Sequence, residues 1–225
     1  MKKIGIVVAM DKEFALFRDL LEGSVETAPL GMRLCEGRVG DKHVYLMKSG
    51  IGKVAAATGV NLLCAEASPE AIVNSGVAGG IGAGLSVGDV VAGTECCYHD
   101  VDCGEGNETG QIQGFPARFA ADAVLLGAAL RQNVKKGLIC TGDQFITDSA
   151  RLQEILRNFP QALAVDMESA AMAQVCHMRR VPFLSLRIIS DTPCAKNDNM
   201  AQYKDFWTQA PLRNFELLRT LLRAL

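Results

Sequence analysis

Apolar residues occur in short runs rich in valine and isoleucine, which alternate with longer stretches where apolar residues recur every three or four positions. The short runs predict β-strands, and the longer stretches predict helices. The predicted strands span residues 4–8, 43–48, 71–75, 89–94, 137–141, 163–166 and 182–190. The predicted helices span residues 11–21, 53–66, 117–131, 150–158, 168–179 and 210–224.

This alternation is typical of an α/β fold, in which helices connect parallel strands and cover both faces of the sheet. Ligands of such sheets bind beyond the carboxyl ends of the strands. The 225 residues suit a single domain spanning residues 1–225, because a chain of this length can bury a core without disulfides or metals. Residues 102–114 are the one long predicted loop, which at this length is usually functional or mobile.

The charge of the chain argues against several classes of partner. The net charge is −2 and the basic residues are scattered, so no basic patch is expected for nucleic acid or for an anionic membrane. The apolar run near the N-terminus is ended by Asp11 and Glu13, too early for a signal core or a membrane span. A cytoplasmic protein is therefore expected.

The cysteines and histidines do not predict a metal site. None of the eight cysteines forms a CxxC pair, and Cys64 and Cys140 lie in apolar runs, as free thiols in a reducing compartment often do. The nearest approach to a group of metal ligands is His99, Asp100, Asp102 and Cys103, whose spacing fits no structural zinc site. We therefore expect no metal, and we expect no other cofactor.

Acidic or glycine-rich residues follow four of the predicted strands. Glu13 follows the first strand, and residues 74–80 form a strand that runs into a glycine turn. Glu168 and Asp191 follow the strands 163–166 and 182–190. Each feature also has an ordinary structural explanation, since carboxylates cap helices and glycines form tight turns.

Two familiar phosphate-binding motifs are absent from the glycine-rich segments. The G-x-G-x-x-G frame that begins at the glycines near residue 80 fails at Leu85. The segment Gly50-Ile51-Gly52-Lys53 lacks the first glycine of a P-loop, because Met47 occupies that position.

The three carboxylates are expected to converge, because the carboxyl ends of parallel strands share one edge of a sheet. Glu13, Glu168 and Asp191 would then surround one cleft without a positively charged partner. Hydrolysis of a glycosidic bond explains such a cluster, since it needs an acid for the leaving group and a base for water.

Seven motifs in order resemble the bacterial 5′-methylthioadenosine/S-adenosylhomocysteine nucleosidases, and the match extends from about residue 1 to the C-terminal helix. They are AMDKE (9–13), SGIGKVAAA (49–57), SGVAGG (75–80), YHD (98–100), GDQFI (142–146), VDME (165–168) and RIISD (187–191). The resemblance implies the nucleoside phosphorylase fold, a three-layer α/β/α domain with a mixed, largely parallel sheet. It also implies a homodimer that acts on a small adenine nucleoside in methionine salvage.

The resemblance assigns the chemistry to particular residues. Glu13 would be the base that deprotonates water, and Asp191, held by Ser190, would be the acid at adenine N7. Glu168 would bind the ribose hydroxyls while Met167 packs on the sugar. The clustered carboxylates, together with desolvation beyond the apolar strand that precedes Asp191, are expected to raise the pKa of Asp191 enough for proton donation.

The resemblance also assigns the surrounding contacts. Phe145 would stack on the purine, and the backbone of Ile146 would recognise the adenine edge. Met10 and Ile51 would form the apolar end of the pocket. Ala78 and Gly79 would lie near the attacking water.

Alternatives within the fold are a purine nucleoside phosphorylase and a futalosine-type hydrolase. Glu13 would repel phosphate, whereas Arg187, on the same face of its strand as Asp191, leaves a phosphorylase open. A nucleoside-binding module without catalysis is disfavoured, because a neutral sugar does not need three buried carboxylates.

Two segments depart from the family pattern. Residues 103–113 lack the aromatic residue with which family members often close the partner's 5′ pocket, so a hydrolase for adenine nucleosides is indicated more firmly than a 5′-thio preference. Residues 192–198 resemble an insertion, after which Tyr203, Phe206 and Trp207 could complete an apolar lid, although Trp207 suits a packing role.

Overall fold

The computed structural model describes residues 1–193, 199–209 and 211–225, with the backbone alone at 208, 209 and 211–215. Ten strands lie within this part of the chain. They are β1 (Lys3–Val8), β2 (Glu22–Thr27), β3 (Leu34–Val39), β4 (Lys42–Lys48), β5 (Ala71–Gly80), β6 (Val90–Tyr98), β7 (Phe119–Ala120), β8 (Lys135–Thr141), β9 (Ala162–Asp166) and β10 (Phe183–Asp191). The helices are α1 (Asp11–Arg18), α2 (Lys53–Ala67), α3 (Ala123–Ala129), α4 (Ser149–Asn158), α5 (Ser169–Arg179), α6 (Asn199–Gln209) and α7 (Pro211–Ala224).

The strands form one mixed sheet, in which nine follow the order β10-β6-β8-β9-β5-β1-β4-β3-β2 and β7 pairs with β6. Strands β4, β1, β5 and β10 are mutually parallel, whereas β9 meets the end of β5 in antiparallel fashion through Gly79 and Gly80. Because β10 also pairs with β5, the strands β5, β10, β6, β8 and β9 close on themselves. The predicted α/β class with a mixed sheet is confirmed.

Alternating side chains of the central strands face two helical layers. Ile4, Ile6 and Val8 of β1 are buried in the core with α1, α3, α6 and α7. Val7 points to the other face, where it belongs to the core formed with α2 and α5. The helices therefore cover both faces of the sheet, as an α/β/α arrangement requires. In the described ranges, no helix combines the length and the apolar character needed to cross a membrane.

Several predicted boundaries are wrong. The segment 117–131 is not one helix, because it contains β7 and then α3. Strands β2 and β3 were not predicted, and every residue of β2 is exposed, so it lacks the apolar pattern of a strand. The strand 71–75 continues to Gly80, so the expected glycine turn is strand. Helix α6 was missed, and the predicted helix 210–224 begins at Pro211, residue 210 lying outside the described residues.

The first turn of α3 depends on an N-cap. The Asp122 carboxylate accepts hydrogen bonds from the backbone N–H groups of Val124 and Leu125, both at 3.0 Å. We expect Asp122→Ala to lower the free energy of unfolding by about 1 kcal/mol, because these two groups lose their partner. Urea denaturation measures this change, and Asp122→Asn, which retains a capping oxygen, should remain close to the unsubstituted protein. Equal losses in both variants would contradict the capping role.

Candidate active site

A cavity of about 190 Å³ opens where β1, β5, β9 and β10 end. Every residue that the sequence analysis assigned to the site lines it: Met10, Glu13, Ile51, Ala78, Gly79, Phe145, Ile146, Met167, Glu168, Ser190 and Asp191. The predicted reason for this convergence holds for β1, β5 and β10, which are parallel. It is wrong for Glu168, because β9 reaches the same point by its antiparallel pairing with the end of β5.

Glu13 both caps its own helix and faces the cavity. Its Oε2 accepts the backbone N–H groups of Ala9 and Met10, each at 3.0 Å, and its Oε1 accepts that of Val77 at 3.2 Å. Burial raises the pKa of Glu13, although the charge of Arg187 and the three N–H groups oppose that rise. A buried carboxylate of raised pKa is a stronger base than an exposed one, so Glu13 suits proton abstraction.

Gly76 leaves space between Glu13 and Arg187. A Cβ atom at this position would lie 2.7 Å from Glu13 Oε1 and 2.6 Å from Arg187 Nη1, closer than side chains pack. Glycine is therefore required where these two groups approach the backbone of β5. The carboxylate and the guanidinium can thus both lie against the backbone of β5 at this position.

Glu168 precedes α5 without capping it, since its side chain makes no cap hydrogen bond. Its Oε1 accepts the backbone N–H of Gly52 at 3.0 Å, and its Oε2 lies 3.7 Å from Arg187 Nη2. Burial raises the pKa of Glu168 to about 7, with Arg187 opposing the rise and Asp166 adding to it. The side chain is thereby held against the cavity wall rather than used at the helix end.

Two loops at the cavity are tied to each other. Asp143 Oδ1 accepts the backbone N–H of Lys53 at 2.8 Å, next to the Gly52 group that binds Glu168. Asp100 Oδ2 accepts both the Lys53 ammonium at 2.8 Å and the backbone N–H of Asp143 at 2.9 Å. The loop that carries Ile51 and the loop at 142–146 are consequently fixed to each other.

The expectation that the carboxylates have no positive partner is wrong. Arg187 is fully buried on β10, and its Nη2 lies 2.6 Å from Asp166 Oδ2. Burial disfavours the charged guanidinium, yet the carboxylates of Asp166, Glu168 and Glu13 raise the pKa of Arg187. The spacing of Arg187 and Asp191 predicted that both lie on the same face of β10. It could not predict the ion pair between Arg187 and Asp166, because Asp166 belongs to a different strand, β9.

The Asp191 carboxyl group is buried at the end of β10. Burial raises its pKa, whereas the hydrogen bonds donated by Ser190 Oγ, at 2.7 Å, and by Asn199 Nδ2, at 3.4 Å, oppose the rise. Of the two expected causes of the raised pKa, desolvation is confirmed and repulsion by clustered carboxylates is wrong, because neither Glu13 nor Glu168 contributes to this shift. Desolvation alone favours the protonated form that a proton donor needs.

The chain is similar to one known family and to several solved structures. The model of the Phosphorylase superfamily matches residues 3–223. The 5′-methylthioadenosine/S-adenosylhomocysteine nucleosidase from Neisseria meningitidis, in complex with methylthio-immucillin-A, is 36% identical, with 100% of both chains covered and a TM-score of 0.95. The chain belongs to the 5′-methylthioadenosine/S-adenosylhomocysteine nucleosidases of this superfamily.

Two further nucleosidases show similar agreement. The S-adenosylhomocysteine nucleosidase from Streptococcus pyogenes, in complex with 5-methylthiotubericidin, is 35% identical, with 100% of this chain and 97% of that chain covered and a TM-score of 0.94. The nucleosidase from Colwellia psychrerythraea 34H, in complex with adenine, is 36% identical, with 100% and 96% covered and a TM-score of 0.93. The resemblance found in the sequence is thus confirmed.

One wall of the nucleosidase cavity is aromatic and thioether-rich. Phe145 and Tyr203 meet edge to face with ring centroids 5.6 Å apart, and the Tyr203 hydroxyl donates to Met10 Sδ at 3.3 Å. The carbonyl oxygen of Ile146 accepts a hydrogen bond from Asn199 at 3.0 Å. This wall offers a planar ring surface beside an apolar end, which suits a purine with an apolar substituent.

Asn199 is a residue of the nucleosidase site that the sequence did not predict. Asn199 binds both Asp191 and Ile146, and nothing in the local sequence distinguishes it from a helix-capping residue. Tyr203 lines the cavity, whereas Trp207 packs beside it. Of the insertion-like segment 192–198, residues 194–198 lie outside the described residues. Among the described residues, no group of three or more His, Cys, Asp or Glu side chains could hold a metal ion.

Proposed function

We propose that the chain hydrolyses the N-glycosidic bond of 5′-methylthioadenosine and S-adenosylhomocysteine, and of 5′-deoxyadenosine. The products would be adenine and the 5′-substituted ribose. Membership of the nucleosidase family supports this proposal, as do the related structures solved with adenine or with methylthio-substituted nucleoside analogues. The observation that carries it is the cavity lined by both Glu13 and Asp191, two buried carboxyl groups with raised pKa values.

In the proposed reaction Asp191 donates a proton to N7 of adenine, because a protonated base leaves C1′ far more readily than an anion does. Burial raises the pKa of Asp191 and so favours its protonated form, and the hydrogen bond from Ser190 orients its carboxyl group. As the C1′–N9 bond breaks, positive charge develops on the sugar. The carboxylates of Glu13 and Glu168 on the same cavity would stabilise that charge.

Glu13 would then take a proton from the water that attacks C1′. Its Oε2 is occupied by two backbone N–H groups, so the carboxyl group cannot rotate freely. Its Oε1 accepts the backbone N–H of Val77 and lies beside Gly76 and Arg187. The carboxylate is therefore already oriented before the reaction, which lowers the entropic part of the barrier.

The remaining lining residues would bind the substrate. Glu168 would accept hydrogen bonds from the ribose hydroxyls, while Phe145 stacks on the purine and the backbone of Ile146 contacts its edge. Met167 would pack on the sugar, and Met10 and Ile51 would contact the 5′ substituent. Ala78 and Gly79 would lie near the attacking water.

A product analysis distinguishes this function from its alternatives. The purified chain is incubated with methylthioadenosine, with and without phosphate, and the sugar product is identified. Free methylthioribose in both reactions is the expected result. A sugar 1-phosphate that forms only with phosphate would identify a phosphorylase, and cleavage of futalosine alone would identify a futalosine hydrolase. Binding without any adenine release would leave a binding module.

We also propose that the active form is a homodimer. Ile51 and Val54 lie beside the cavity on neighbouring positions, and 57% and 81% of their surfaces are exposed. An apolar surface next to the site suits a second copy of the chain, whose loop at 103–113 could complete the 5′ pocket. We further propose a cytoplasmic location, because the cysteines of the described residues are free thiols, Cys97 and Cys140 among them with sulfur atoms 3.6 Å apart. Cleavage of methylthioadenosine would give the chain a role in methionine salvage.

The assembly gives a direct prediction. Sedimentation velocity should show a dimer, and Val54→Asp should weaken it by about 10-fold or more, because a charge is buried at the interface. Val124→Asp is the matched control, since Val124 is also an exposed valine, at 63%, on another helix. A fully active monomer, or equal behaviour of the two variants, would contradict the proposed interface.

A further inference from the structure

Arg187 is the one basic residue among the described residues that line the cavity. Each of its nitrogens already has a protein acceptor. Nε donates to Ser169 Oγ at 3.1 Å, and Nη1 donates to the carbonyl oxygen of Val77 at 3.3 Å. Nη2 contacts Asp166 at 2.6 Å and also donates to the side-chain oxygen of Asn74. The guanidinium is therefore largely occupied within the protein.

Asp166 is held as firmly as the arginine that it contacts. Thr141 Oγ1 donates to Asp166 Oδ1 at 2.5 Å, and the backbone N–H of Ser169 donates to Oδ2 at 3.1 Å. The Ser169 hydroxyl is a further donor to the same oxygen. The carboxylate is buried with 1% of its side chain exposed, so it cannot turn away from Arg187. An ionised carboxylate with several donors and a cation is stable in the interior.

The charges at this point favour a neutral nucleophile. Three carboxyl groups, those of Asp166, Glu168 and Glu13, contribute to the field at the single Arg187 guanidinium. A phosphate dianion needs a cation with free donors, and here the guanidinium is already neutralised. Water carries no charge and can bind beside Glu13 without such a cation.

We infer that Asp166 is a specificity-determining residue for the nucleophile: by pairing with Arg187 it denies the cavity to phosphate and leaves water to attack the sugar. The inference rests on the proposed function and concerns only the choice of nucleophile. Asp166 acts through Arg187 and is a positioning residue, whereas Glu13 and Asp191 are the groups assigned to the reacting atoms.

The test is the response of Asp166→Asn to phosphate. Adenine release from methylthioadenosine is measured against phosphate concentration, with chloride keeping the ionic strength constant. The variant loses turnover, and we expect phosphate to change its rate at a concentration about 10-fold or more below any effect on the unsubstituted protein. The change is inhibition when phosphate only binds. If phosphate also attacks, its oxygen bonds to C1′ as the C1′–N9 bond breaks, and Asp191 protonates the adenine.

Two controls separate charge from structure. Asp122→Asn makes the same change outside the cavity and should leave the phosphate response as it is in the unsubstituted protein. Asp166→Glu keeps the charge and should also remain indifferent to phosphate. An Asp166→Asn enzyme that folds and responds to phosphate like the unsubstituted protein would overturn the inference.

A further variant covers the case in which Asp166→Asn does not fold. The double variant Asp166→Asn/Arg187→Met removes both charges and should be indifferent to phosphate, because no cation remains in the described cavity wall. Phosphate sensitivity in this double variant would overturn the inference. Absence of free methylthioribose from the unsubstituted protein would instead contradict the proposed function itself.

Discussion

Glu13→Gln should reduce turnover by about 10²-fold or more while KM changes little. Glutamine has nearly the same shape and can still accept the backbone N–H groups of Ala9 and Met10, but it cannot take a proton from water. Its amide nitrogen would face the N–H of Val77, which costs one hydrogen bond. The measurements are kcat, KM and the thermal midpoint of the same preparation.

The capping role of Glu13 makes a control necessary. Asp11→Asn changes an acid to an amide in the same helical turn, but Asp11 is exposed and lies outside the cavity. It should retain turnover. If Glu13→Gln lowers the thermal midpoint yet keeps near-normal kcat, Glu13 is a helix cap and has no part in the reaction.

Asp191→Asn should reduce kcat by about 10²-fold or more, because asparagine has no proton to transfer to the leaving adenine. The side chain keeps its size and can still accept the hydrogen bond from Ser190. Substrate binding should therefore survive, which equilibrium titration with a non-hydrolysed nucleoside analogue measures. Asp148→Asn, a helix-capping position outside the cavity, is the matched control and should retain full turnover.

The pH dependence of kcat tests the same assignment independently. Asp191 must be protonated to act, and burial raises its pKa, so activity should fall as pH rises through that raised value. Glu13 must be ionised, so activity should rise with pH through its own raised pKa. The residual activity of Asp191→Asn should lack the descending limb. A descending limb identical to that of the unsubstituted protein would remove Asp191 from the proton transfer.

The local pattern was informative where strands are buried on both faces. The mostly apolar segment 182–190 predicted a strand, and every residue of β10 is buried. The exposed strand β2 has no such pattern, and its position is set by antiparallel pairing with β3. Propensity within one segment cannot predict a strand that depends on the edge of a neighbouring one.

The sequence alone determined the family, the α/β class and the acidic residues that end the strands, since ordered motifs and periodicity are properties of the chain itself. Only the tertiary structure decided how their charges balance. The pairing of Arg187 with Asp166 joins β10 to β9, and Asn199 reaches Asp191 from α6. The structure likewise decided that neighbouring carboxylates do not contribute to the raised pKa of Asp191, which comes from the desolvation expected beyond its apolar strand. Distances between side chains and exclusion of water arise from packing of segments far apart in sequence, and no local pattern encodes them.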